Sequence, residues 1–139
     1  MVKLKLTEES KDELKRAIDM INKERMVILR ASDAVEKLKK PSKISTARRL
    51  GYEEKPGIVI VRVRVPKGGR RKPRPRSGRR PKHLGVVLYT PGLSRRKIAE
   101  ARASRKYPNM RVLGSYKVAE DGKHLWFEVV MRDESKYQR

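Results

Sequence analysis

Residues 67–82, Lys-Gly-Gly-Arg-Arg-Lys-Pro-Arg-Pro-Arg-Ser-Gly-Arg-Arg-Pro-Lys, are barred from any hydrophobic core. Nine of the sixteen are Lys or Arg, six are Gly or Pro, and none is acidic, aromatic or aliphatic. Such a stretch buries no apolar surface that would offset the entropy lost on ordering it. Its three prolines interrupt a helix and its three glycines remove stiffness. The rest of the chain must fold around this segment. The segment itself takes one path only where dense negative charge holds it.

The wider charge distribution agrees. Of a formal net charge of +22, residues 41–107 carry +18, residues 1–40 carry +3 and residues 108–139 carry +1. A small soluble domain ordinarily carries a net charge of about 2–8, so this excess predicts a polyanionic partner. A chain of 139 residues suits one small domain with extensions. It has no cysteine, which excludes disulfides and thiolate metal sites, and His83 and His124 cannot form a histidine cage alone. No metal and no cofactor is expected. No apolar run approaches the roughly 20 residues of a membrane span. The start, Met-Val-Lys-Leu-Lys-Leu, lacks the apolar centre of a signal peptide. The expectation is a cytoplasmic protein with no membrane partner.

Along the chain, Thr7-Glu8-Glu9 and the capping box Ser10-Lys11-Asp12-Glu13 both offer helix starts. Leu14, Ile18, Ile21 and Ile28 then share one face of a helix reaching about Arg30. That stripe suits packing on the domain or on another protein equally. Ser32-Asp33 opens a second short helix through Ala34, Val35 and Leu38, stopped by Pro41. Residues 45–50 form a further turn with Gly51 as its cap.

Gly57–Val65 reads as a strand, with Val59, Val61, Val63 and Val65 on one face and Ile58, Ile60, Arg62 and Arg64 on the other. A second strand is expected over 85–89, then a helix capped by Ser94 through about Lys106. Strands over 111–119 and 123–131 close a hairpin at Asp121-Gly122. In the last strand, Leu125, Phe127, Val129 and Met131 share one face, and Trp126, Glu128 and Val130 the other. The fold class is α+β: a small, mostly antiparallel sheet with one packed helix, N-terminal helices and a long basic loop. The expected organisation is a helical segment over 1–40, an α+β domain over 41–133 containing the basic arm 67–82, and a tail over 134–139.

The arm spans about 50 Å when extended, enough to run out along a groove or to loop back as a finger. Its cations are Lys67, Arg70, Arg71, Lys72, Arg74, Arg76, Arg79, Arg80 and Lys82. The excess of arginine favours forked recognition of phosphate. With no aromatic in the arm, recognition should be of backbone and shape. Nine phosphate contacts predict a salt slope on the order of −6 on the single-strand scale. A disordered basic tail of localisation-signal type is the plainer alternative, although loops beyond about 12–15 residues inside a domain are usually functional or disordered. Arg62 and Arg64 are either the solvent side of a half-buried strand or a cationic row leading into the arm. Arg48-Arg49 and Arg95-Arg96-Lys97 are either solvated charged faces or further parts of the same footprint. Cations in the first turn of a helix oppose its dipole, so an external anion would relieve a local cost.

No catalytic residue can be argued. There is no cysteine nucleophile and no Ser/His/Asp spacing, and residues 41–107 hold only Glu53, Glu54 and Glu100 as metal-binding carboxylates. Glu120 and Asp121 suit turn chemistry.

Several ordered blocks resemble one family. Lys40-Pro41-Ser42-Lys43, Ala47-Arg48-Arg49-Leu50-Gly51-Tyr52, Lys55-Pro56-Gly57 and Val59-Ile60-Val61-Arg62-Val63-Arg64-Val65 are similar to the large-subunit ribosomal protein L15e of archaea and eukaryotes, as distinct from bacterial L15. So are Gly68-Gly69-Arg70-Arg71-Lys72-Pro73-Arg74, Ile98-Ala99-Glu100-Ala101-Arg102-Ala103, Pro108-Asn109-Met110-Arg111-Val112-Leu113, Ser115-Tyr116, Glu120-Asp121-Gly122 and Trp126-Phe127-Glu128-Val129. The resemblance covers about residues 25–133. It implies an antiparallel α+β domain whose basic loops thread large-subunit rRNA. Arg48, Arg49, Arg62, Arg64 and the arm's arginines then become rRNA contacts. Residues 7–24 do not resemble the family's usual start, and Gly114 and Lys117 stand where it usually carries Asn and Trp. The family continues into a long basic, Gly-rich tail where this sequence stops at Arg139, as a shortened or divergent member would.

The resulting expectation is a structural constituent of the large ribosomal subunit, archaeal in character and working on cytoplasmic ribosomes. Its arm binds and bridges rRNA, its partners are rRNA and neighbouring ribosomal proteins, and no homo-oligomer is expected. The alternatives are a ribosome-associated or assembly factor, a paralogue binding another structured RNA, and a nonspecific chromatin-type DNA binder.

Overall fold

β-Branched residues at nearly every position make residues 58–65 a strand able to sit at the centre of a sheet, and β2 (Ile58–Pro66) does so. The structure, a computed structural model, describes residues 8–86 and 89–136. β2 pairs on one side with β1 (Val35–Leu38) and on the other with β4 (His124–Asp133), which in turn pairs with β3 (Met110–Glu120). All three pairings are antiparallel, giving the order β1-β2-β4-β3. The chain divides into two units, Met1–Asp33 and Ala34–Arg139. The first holds α1 (Glu8–Ala31) and the second holds the sheet with α2 (Ile44–Arg49) and α3 (Arg95–Lys106).

The period-2 alternation of the strands sorts their side chains onto two faces. On one, Val59, Val61, Val63 and Val65 join Leu125, Phe127, Val129 and Met131 beneath Ala99 and Ala103 of α3. The small alanines let the helix approach closely, and α3 presents no bulkier side chain at the two buried apolar positions of its face. On the other face Ile60, Tyr116, Val118 and Val130 pack with Ala47 of α2 and with Tyr52. α3 is also tied to the sheet by cations: Arg102 donates to the Arg64 carbonyl at 3.0 Å and Lys106 to the Val35 carbonyl at 2.7 Å.

Two irregularities in β3, between Val112 and Gly114 and between Lys117 and Ala119, reset the alternation. Between them the strand alternates normally, and Ser115 and Tyr116 reach opposite faces, towards α3 and towards Glu128. A Cβ on Gly114 would lie 3.0 Å from Leu50 Cδ2. A side chain at this position would therefore require Leu50 to shift. Gly51, with φ of +91°, follows α2 in the left-handed conformation that ends helices and that glycine adopts without strain.

Three expectations are corrected. Residues 35–38, expected as helix, form β1; Val35 and Leu38 are spaced as on a helix, but the open edge of β2 offers backbone partners that a short isolated helix does not. The strand expected over 85–89 is not formed by Gly85, Val86 or Tyr89, and Val87 and Leu88 lie outside the described residues. The arm therefore leads from β2 through a short 3-10 helix (Pro81–His83) to α3. Ser10 is also inside α1, since the helix already runs from Glu8. The apolar residues Leu14, Ile18, Ile21 and Ile28 of α1 are exposed.

Candidate nucleic-acid interface

The arm begins where the sheet stops. Pro66 ends β2, and Lys67 still donates its backbone N–H to the Lys123 carbonyl at 2.9 Å. Its ammonium pairs with Glu120 at 2.5 Å, and its carbonyl accepts from the Arg95 guanidinium. The first residue of the arm is thus held by the β3–β4 hairpin end and by the start of α3. Hydrogen bonds from Lys117 and Lys67 hold the Glu120 carboxyl down to about 2, against an ordinary 4.5. Lys43, just before α2, donates to the Lys117 carbonyl at 3.1 Å, so three basic elements converge on this end of the sheet.

Beyond the root the cations face outward. Arg70 is half-buried, while Arg71, Lys72, Arg74, Arg76, Arg79, Arg80 and Lys82 are exposed. A cavity of about 620 Å³ at the root is lined by Lys67, Gly68, Gly69, Arg70, Arg71, Pro91 and Arg95. Gly69 takes φ of +76°, and side chains on Gly68 or Gly69 would meet no neighbour within 4 Å, so the backbone here lies open. The Arg95 Nε is buried without a hydrogen-bond partner. An open glycine backbone ringed by guanidinium and ammonium groups is a surface that phosphate oxygens can enter.

The smaller clusters differ from the arm. Ser94 caps α3, accepting from the Lys97 N–H at 3.2 Å. Arg96 and Lys97, both more than half exposed, pair with Glu100 at 3.3 and 2.9 Å. Arg96 also donates to Ser115 Oγ at 2.8 Å, and Ser115 donates to Glu100 at 2.6 Å. The dipole cost of cations in the first turn is answered from inside the fold by a carboxylate one turn on. Arg48 and Arg49 are exposed on α2, above buried Ala47, on the sheet face opposite α3.

Arg62 is placed differently. It stands opposite Glu36 on β1 and opposite Glu128 on β4, and Tyr116 on β3 stands opposite Glu128. One polar row therefore crosses all four strands. Arg62 lies 3.6 Å from each carboxylate with its side chain only 14% exposed. Glu128 is wholly buried and accepts from Tyr116 at 2.5 Å, from the Ser42 N–H at 2.9 Å and from the Ser42 hydroxyl. Burial, then the hydrogen bond to Glu128, raises the Tyr116 hydroxyl above its ordinary value, so the phenol keeps its proton to donate. This row clamps Ser42, next to Lys43 and α2, onto the sheet. Arg64 stands opposite Trp126 and is half-buried.

The sequence pattern offered Glu120 only as a turn residue and Glu100 only among the few carboxylates of the basic region, and assigned no site role to Glu128, Lys43 or Tyr89. Glu128 carried a signal, a lone carboxylate within the apolar run Leu125–Met131. Glu100 and Glu120 each have cations three or four residues before them, but their further partners, Ser115 and Lys67, come from other elements and left no trace in spacing. Among the described residues no group of three or more His, Cys, Asp or Glu is placed to hold a metal ion, and no helix is long and apolar enough to cross a membrane. Residues 3–138 match the family model for L15e, described as ribosomal L15. The match takes in residues 7–24, which the motif resemblance had left out.

Proposed function

The chain belongs to the ribosomal L15e family, a family of structural large-subunit ribosomal proteins, and on that premise we propose that it binds and bridges rRNA through the arm at 67–82. The observation that carries this reading is the pairing of a fixed root with an outward charge. Lys67 is held by Glu120, Lys123 and Arg95, while seven cations beyond it face solvent. A root fixed to a rigid sheet sets where the arm enters RNA, and the exposed guanidinium groups neutralise phosphates brought together from separate helices.

Arg48, Arg49, Arg64, Arg95, Arg96 and Lys97 extend this footprint in the proposal. Arg62 serves it indirectly, by holding Glu128 and through it the loop before α2. The protein's partners are then rRNA and adjoining ribosomal proteins. Large subunits washed in high salt should retain the chain at close to one copy per mature particle. Recovery only in free fractions, or only on immature particles, would replace this reading with that of an assembly factor.

A further inference from the structure

The arm's own sequence offers charges to phosphates and nothing to a base. Folding changes that. At Ser77–Gly78 two successive residues take positive φ, 65° and 60°, and the chain bends. The outgoing and returning limbs then share a cleft of about 230 Å³, lined by Arg71, Lys72 and Arg74 from one side and by Val86 and Tyr89 from the other. Tyr89 is 49% exposed, whereas Tyr52, Tyr116, Trp126 and Phe127 are buried. An aromatic ring left half in water beside three cations has the composition of a nucleotide seat: an apolar face for the ring and cationic groups for its phosphates. The larger cavity at the arm's root has no aromatic wall and suits phosphate alone.

We propose that this cleft holds a single unstacked nucleobase of the bound RNA, with the base on the Tyr89 ring against Val86 and the flanking phosphates on Arg71, Lys72 and Arg74. The inference rests on the RNA-binding reading above and deepens it. It assigns the arm a preference for a looped-out or bulged nucleotide over continuous duplex. At this volume, below that of drug-sized ligand sites, the cleft suits one ring system.

The test uses the full chain and two RNAs: a stem–loop with 2-aminopurine at an unpaired loop position, and a fully paired duplex of equal length. The wild-type chain should favour the stem–loop and quench the loop fluorophore by stacking. Tyr89→Ala should lose the quench and bind the stem–loop about 5- to 100-fold more weakly. Tyr89→Phe should retain both, since the ring does the stacking. The salt slope of Tyr89→Ala should match wild type, because stacking releases no counterions. Equal stem–loop affinity and equal quench in Tyr89→Ala would overturn the base seat while leaving RNA binding intact. Failure of the wild-type chain to bind either RNA would instead overturn the function on which it rests.

Discussion

Glu100 shows how a single carboxylate decides what surrounding cations are free to do. It is buried where α3 crosses β3, and Ser115, Lys97 and Arg96 all address it. Burial alone would raise its pKa, but the hydrogen bonds from Ser115 and Lys97 and the charges of Lys97 and Arg96 outweigh it and hold the group below its ordinary 4.5. The fold therefore favours the ionised form. Its contribution is complete above the ordinary carboxylate value and disappears as pH falls through the lowered one. Glu100→Gln should be less stable than wild type by about 1–2 kcal/mol at pH 7. Urea unfolding at a series of pH values should show the gap closing as pH falls below the ordinary carboxylate range; a gap independent of pH would mean that the charge is not what matters. The sequence shows only that Glu100 stands one helical turn from two cations; its burial and its bond to Ser115, on another element, were not visible there.

Among the elements, the polar row Glu36–Arg62–Glu128–Tyr116 explains why a basic strand can run through a hydrophobic sheet. A buried ion pair is weak evidence for stability, yet removing one partner strands the other charge at high cost. Glu128→Ala leaves Arg62, Tyr116 and Ser42 without their shared acceptor and should cost about 3–5 kcal/mol. Glu128→Gln keeps an acceptor and should cost less. Denaturant unfolding of the two variants checks the order, and equal losses would mean that the negative charge is what the row needs, and that neither shape nor the remaining acceptor matters. The alternation Val-Ile-Val-Arg-Val-Arg-Val made β2 legible, and the Asp121-Gly122 signal made the hairpin legible. Asp121 donates its backbone N–H to the His124 carbonyl at 2.9 Å, closing the turn, and its carboxylate accepts from the Gly122 N–H at 2.6 Å. β1 was not legible, because four residues with apolar ends fit either period and the edge of β2 selects between them.

For the whole molecule the question is how a chain of net charge +22 folds before RNA neutralises it. Part of the answer is segregation. Cations within the folded frame are spent on carbonyls and carboxylates, as at Arg62, Arg102 and Lys106, while those of the arm beyond its root point away from the core. Replacing Arg70, Arg71, Arg74 and Arg76 together by Ala should therefore leave the sheet's stability near wild type. The same change should weaken binding to an rRNA fragment and flatten the salt slope by about 3. Titration at several salt concentrations measures this, and an unchanged slope would remove the arm from phosphate contact. The exclusion of residues 67–82 from any core, the valine face of β2 and the family blocks were determined by the sequence alone, because they depend on local composition and periodicity. Only the tertiary structure decided which cations are internal, what fixes Lys67, and that Tyr89 returns to lie beside Arg71, Lys72 and Arg74. Those are meetings of residues distant in the chain, set by strand register and by a bend in the arm, and no local pattern encodes them.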